Sequence, residues 1–109
     1  MGDNSIGITL SGGGFRGIAH LGILKYLYEL GIFPSMISGA SAGALIGAFI
    51  AQGYTPEEIL EISSKEKFFG YSEISISRRG LFNTRVFEKI IKKYIPHDSF
   101  EKLKMPIFV

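Results

Sequence analysis

Two clusters of glycine limit what this chain can become. Twelve of its 14 glycines lie within the first 53 residues. The densest groups are Gly12-Gly13-Gly14-Phe15-Arg16-Gly17 and Gly39-Ala40-Ser41-Ala42-Gly43. Each follows a short apolar run and precedes a helical pattern, so each reads as a tight strand-to-helix turn in which the missing Cβ lets backbones approach. Ile6 to Leu10 reads as a buried strand. From Gly17 to Leu30, Ile18, Leu21, Leu24, Leu27 and Tyr28 recur at helical spacing, and Gly31 stands where a C-terminal cap belongs. Pro34 breaks the chain, Met36 to Ser38 reads as extended, and Ala42 to Ala51 as helix. Thr55-Pro56-Glu57-Glu58 is a capping box with proline at the first helical position, opening a short helix to about Ile62.

The second half is charged and more helical. Ser72 to Ser77 alternates polar and apolar residues as a weak strand or extended loop would, and Arg78-Arg79-Gly80 resembles a turn. Asn83 is placed to cap a helix from Thr84 to Tyr94. Its apolar side holds Val86, Phe87, Ile90, Ile91 and Tyr94, and Lys89, Lys92 and Lys93 lie on the other. Pro96 ends it, Asp98 is expected to cap a short turn at Ser99 to Leu103, and Met105 to Val109 reads as the start of another buried strand. The chain stops within that strand, so residues 1–109 are expected to be part of a domain. Strand, loop, helix, strand, turn, helix is an α/β order, implying a parallel sheet with right-handed crossovers. In such sheets ligands sit beyond the C-terminal strand ends. Both glycine turns fall there and are expected to face one crevice.

Composition narrows the function classes. A chain of 109 residues with 46% apolar and 20% charged residues has the balance of one globular domain. With no cysteine, disulfides and thiolate metal sites are excluded. His20 and His97 are far apart and leave almost nothing for zinc, so no metal and no cofactor is expected; His20, in the first helix, reads as a packed or capping side chain, and His97, after the helix-ending Pro96, as exposed. A formal charge of +2 is too small to argue for nucleic acid. Its distribution is uneven: residues 1–64 carry two basic and five acidic groups, residues 65–109 ten basic and five acidic. The basic half around Arg78, Arg79, Lys89, Lys92 and Lys93 reads either as a solvated lysine face or as a peripheral membrane contact. The N-terminus has no basic region before an apolar stretch, and Ile6 occupies the position where a myristoylation motif needs Ser or Thr. The longest apolar run, Met36 to Ala51, has 16 residues, short of the roughly 20 that span a bilayer. The expected location is cytoplasmic, with peripheral membrane contact as the variant.

The first glycine turn fits G-x-G-x-x-G between strand and helix, the context of a dinucleotide site. That site also needs an acidic residue about 20 positions further on. No Asp or Glu occurs between Glu29 and Glu57, so the dinucleotide reading lacks its second half. What remains is a row of outward N–H groups at a helix N-terminus, which stabilises an anion, including one formed only in a transition state. A tight turn with no ligand is the plain alternative. The second turn fits G-x-S-x-G in a nucleophile-elbow context. Every residue flanking Ser41 is Gly or Ala, as a serine in a turn between closely approaching strand and helix requires. Acyl transfer links the two turns: Ser41 attacks an ester carbonyl, and N–H groups of Gly12 to Gly14, with that of Ala42, meet the oxyanion.

On these residues the sequence resembles the patatin-like phospholipase family. The likeness rests on Gly12-Gly13-Gly14-Phe15-Arg16-Gly17, on His20-Leu21-Gly22-Ile23-Leu24 with Leu27 and Glu29, and on Gly39-Ala40-Ser41-Ala42-Gly43. It continues more weakly through Gly80-Leu81-Phe82 and Leu103-Lys104-Met105-Pro106. The resemblance implies the N-terminal portion of a parallel-sheet sandwich and a lipid acyl hydrolase of phospholipase A or esterase type. It also implies a Ser–Asp dyad, a lipid ester as substrate, and neither histidine base nor metal. By that likeness Ser41 is the nucleophile and Gly12, Gly13, Gly14 and Arg16 form the oxyanion loop. Arg16 then braces the loop, with a lipid phosphate as its alternative partner, and Gly17, Gly39, Ala42 and Gly43 complete the motifs. The family's aspartate lies in an Asp-Gly-Gly or Asp-Gly-Ala motif, and no Asp-Gly occurs here. Neither Asp3 nor Asp98 suits the role, so the base is expected beyond Val109 and the 109 residues alone are expected to be inactive. The competing reading is a shortened, non-catalytic homologue that binds lipid or a protein partner.

Overall fold

A computed structural model describes residues 6–12, 17–40, 42–66, 84–97 and 99–109. Three strands, β1 (Gly7–Leu10), β2 (Met36–Gly39) and β3 (Ile107–Phe108), form a parallel sheet in the order β1-β2-β3. The helices among the described residues are α1 (Ile18–Glu29), α2 (Ala42–Gln52), α3 (Pro56–Glu66) and α4 (Thr84–Tyr94), with a 3-10 turn at Phe100–Lys102. The α/β reading and the parallel sheet hold. The weak strand at Ser72 to Ser77, the Arg78-Arg79-Gly80 turn and the Asn83 cap lie outside the described residues.

Local chemistry sets the helix ends. Gly31 adopts a φ of 76° after α1. The Ile32 amide donates to the Leu27 carbonyl (2.9 Å) and that of Gly31 to Tyr28 (3.0 Å), the paired bonds of a Schellman cap. At α3 the Thr55 amide donates to Glu58 Oε1 (2.9 Å) and the Glu58 amide to Thr55 Oγ1 (3.1 Å), so the capping box closes in both directions. The helix runs to Glu66, a turn past Ile62, because tertiary contacts hold that turn: Ser63 is buried and Glu66 binds α4.

The core is one cluster joining Leu10 and Ile37 of the sheet, Leu21 and Leu24 of α1, Ile46, Phe49 and Ile50 of α2, and Ile59 of α3. α2 is apolar around its whole circumference and buried along nearly its whole length, as such a helix must be. It lies on the sheet face that carries Ile37 and Ile107. The opposite face leaves Met36 and Phe108 exposed (44% and 62%).

α4 seats Ile90 in the core and leaves Lys89, Lys92 and Lys93 outside, as its periodicity requires. Lys92 pairs with Glu88 (3.0 Å) and Lys93 with Glu66 (2.9 Å), so two of the three lysines are already partnered. Among the described residues no helix is long and apolar enough to cross a membrane. His97, expected to be exposed, is instead half-buried, its Nε2 2.6 Å from Gln52 Oε1 at the end of α2. Pro96 turns the chain back over α2, and the ring is carried inward with it. Asp98 lies outside the described residues; beside it the Ser99 hydroxyl accepts from the Glu101 amide (3.2 Å).

Candidate active site

The site begins where β1 and β2 end together. Their parallel register sets Leu10 beside Gly39, so both glycine turns leave the sheet from adjacent positions at its C-terminal edge. The Ala40 amide donates to the Leu10 carbonyl (3.1 Å), tying the second turn to the end of β1, and the Gly43 amide donates back to Ala40 (2.9 Å). These two bonds hold Ala40 between the end of β1 and the first turn of α2, which starts at Ala42.

Glycine is sterically required here. A Cβ on Gly43 would fall on the Leu10 carbonyl oxygen, and one on Gly39 would lie 2.6 Å from the Gly43 carbonyl oxygen. One turn further, a Cβ on Gly47 would meet Ile37 Cγ2 at 2.8 Å. α2 therefore rests on the β1 backbone at Gly43 and on the Ile37 side chain at Gly47, and a side chain at either position would push the helix away from the sheet.

The first loop is fixed from the other side. His20, in the first turn of α1, has Nε2 2.9 Å from the Ser11 carbonyl; the ring donates there and ties α1 to the exit of β1. This places His20 as a brace for the loop, in line with its reading as a packed or capping side chain. Gly12 follows on the exposed surface, and Gly17 is buried at the N-cap of α1. Neither α1 nor α2 carries an acidic residue in its first turn, so no carboxylate of their own offsets the positive ends of these helices.

A family model for patatin-like phospholipase matches residues 8–109. The chain belongs to the patatin-like phospholipase family. Within this patatin-like domain, β1, α1, β2 and α2 carry both motifs of the first 53 residues. Curated relatives include the neuropathy target esterases of Drosophila melanogaster and Drosophila willistoni, each 34% identical over 114 aligned positions. The alignments cover 96% of this chain and 8% of each relative. Gly12, Gly17, Gly39, Ala42 and Gly43 are described, and Gly39 and Gly43 meet the end of β1. Ser41, Gly13, Gly14 and Arg16 lie outside the described residues.

Away from this edge is a polar tie that sequence reading did not single out. Glu66 accepts from the Tyr94 hydroxyl (2.6 Å) and from Lys93 Nζ (2.9 Å), while the Tyr54 hydroxyl donates to the Tyr94 carbonyl (2.7 Å). The Tyr94 bond, followed by the Lys93 bond and charge, holds the Glu66 carboxyl below its ordinary range. The bond to Glu66 raises Lys93, and the same carboxylate followed by burial raises Tyr94. Its members come from α3, α4 and the α2–α3 connection, so it joins helices at a distance from the glycine turns. The only sequence signal was Tyr94, the one hydroxyl on an otherwise apolar face.

Proposed function

We propose that this domain supplies the nucleophile and the oxyanion donors of a serine lipid acyl hydrolase. Ser41 Oγ attacks the carbonyl carbon of a lipid ester and gives its proton to a carboxylate base. The carbonyl oxygen becomes an oxyanion held by amides of Gly12 to Gly14, with that of Ala42. Collapse breaks the bond to the alcohol, which takes the proton as it leaves, and water then cleaves the acyl-serine by the reverse sequence. Arg16 braces the oxyanion loop. The base is an aspartate from outside these 109 residues, so Ser41 alone is a weak nucleophile.

One observation carries this reading: the Leu10–Gly39 register, sealed by the Ala40–Leu10 bond and the contact of Gly43 with the Leu10 carbonyl. It brings the exits of both glycine turns to one strand edge, the arrangement acyl transfer needs. Membership of the patatin-like family and the esterase names of the relatives point the same way. In a polypeptide extending through a downstream Asp-Gly motif, Ser41→Ala is expected to lower hydrolysis of a short-chain ester by about 10³-fold or more. Undiminished hydrolysis by a purified variant would remove Ser41 from this role.

A further inference from the structure

An apolar helix face is normally covered by its neighbours, yet α1 leaves one open. Leu21 and Leu24 face the core, while Ile23, Tyr26 and Leu30 stand 62%, 61% and 55% exposed. With Ala19 and Gly22, also exposed, these residues follow spacings of three and four and form one stripe on the outer face. Phe33 (58% exposed) follows the helix end with its ring against Tyr28, away from the stripe. Scattered exposed apolar residues are ordinary, but a continuous stripe marks a contact surface.

Gly22 is a second, separate sign. A glycine inside a helix costs about 1 kcal/mol relative to alanine, and those of α2 are explained by what a Cβ would strike. A Cβ on Gly22 meets nothing within 4 Å. The close approach that would account for this glycine is therefore absent from the described fold.

We propose that this face of α1 binds a second copy of the chain, α1 against α1 in antiparallel orientation about a two-fold axis near Tyr26. Charge identifies the occupant. Lys25 and Glu29 are exposed on the same flank of the stripe and form no ion pair with any described residue. A two-fold axis across antiparallel helices brings like flanks together. Pairing Ile23 with the partner's Leu30 and Tyr26 with the partner's Tyr26 therefore sets Lys25 within side-chain reach of the partner's Glu29, and Glu29 within reach of the partner's Lys25. The stripe is self-complementary in charge, and Gly22 lies where the facing helix comes close. An interface of this extent is near the lower bound for specific association, about 1,000 Å² in total, which predicts a dissociation constant in the micromolar range.

Sedimentation equilibrium on the 109-residue chain tests this. A reversible dimer is expected below about 100 μM. Lys25→Glu and Glu29→Lys should each weaken it about tenfold, an ordinary coupling for a contacting charge pair. The double reversal K25E/E29K should restore it, because the pair is then only exchanged. Circular dichroism of the single variants, altered only on the surface, verifies that the fold is kept. A monomer throughout, single reversals without effect, or a double variant no stronger than the singles would each overturn the proposal. So would a monomer that floats with phosphatidylcholine vesicles and loses that binding on Ile23→Asp, which would assign the face to lipid.

Discussion

α1 and α2 are nearly equal in length and both are rich in aliphatic residues and glycine, yet the fold treats them oppositely. α2 is enclosed: Ile46, Phe49, Ile50 and Ala51 are 0–1% exposed, and Gly43 and Gly47 press on the strands beneath. α1 buries one face and leaves another apolar face uncovered. Composition separates them only in part: α1 carries His20, Lys25 and Glu29 where α2 has no charge, but that does not say that Ile23, Tyr26 and Leu30 stay exposed. Neighbours do: α2 sits between the sheet and the other helices, while α1 makes its main helical contact with α3 on one side only. An apolar helix thus states how much surface it can bury, and topology states how much it has buried.

Glycine substitution breaks this comparison most directly. Gly43→Ala places a methyl on the Leu10 carbonyl, a backbone atom that cannot swing aside, so α2 must lift from the edge that organises both turns. Overpacking ordinarily costs about 1–3 kcal/mol and occasionally more, and a clash with backbone belongs at the upper end. Chemical denaturation of purified Gly43→Ala should therefore show a loss of about 3 kcal/mol. A wild-type midpoint would mean that the helix start and the strand end are not in contact.

Gly22→Ala should do the reverse. Its Cβ enters open space, so at dilution the fold gains about 0.8–1.0 kcal/mol from helix propensity alone. Denaturation midpoints at low and high protein concentration sharpen the point. The gain should shrink at high concentration, where the added methyl opposes the facing copy. A loss of stability at every concentration would show that α1 is already covered there.

This contrast also marks what the residues disclosed before any coordinates. Strand-turn-helix punctuation, the Gly31 cap and the Thr55–Glu58 box are local codes that operate within four or five residues, and each is found where its pattern placed it. The two glycine motifs that frame the candidate site were legible for the same reason, since each is contiguous in the chain. Other features depend on partners far apart in the chain. His97 meets Gln52 across 45 positions and Glu66 meets Tyr94 across 28. No local pattern encodes those meetings, so a histidine expected at the surface is half-buried and a glutamate that had drawn no attention secures α4 to α3. The reason for Gly43, likewise, is a carbonyl 33 residues away in sequence.

The α3–α4 tie yields the smallest effect, and its sign follows from the directions of the shifts. Glu66 is held below its ordinary range, first by the Tyr94 hydroxyl and then by Lys93. A carboxyl lowered by folding adds stability that is present above the unfolded glutamate value and is lost as pH falls through the folded one. Lys93 and Tyr94 are raised, so their contribution is present below their unfolded values and is lost as pH rises through the folded ones. The tie should therefore contribute across the neutral range and fade at both extremes. Glu66→Gln should lower the urea midpoint at neutral pH by a small margin, because the lysine of the pair is half exposed and its charge is screened by solvent. The gap between variant and wild type should close as pH falls below the ordinary glutamate range and the wild-type carboxyl protonates. It should also narrow in high salt, where the Lys93 charge is screened while the Tyr94 hydrogen bond persists. A gap that stays constant down to pH 2 would mean the substitution acts through packing, and that the Glu66 charge does not hold α4 in place.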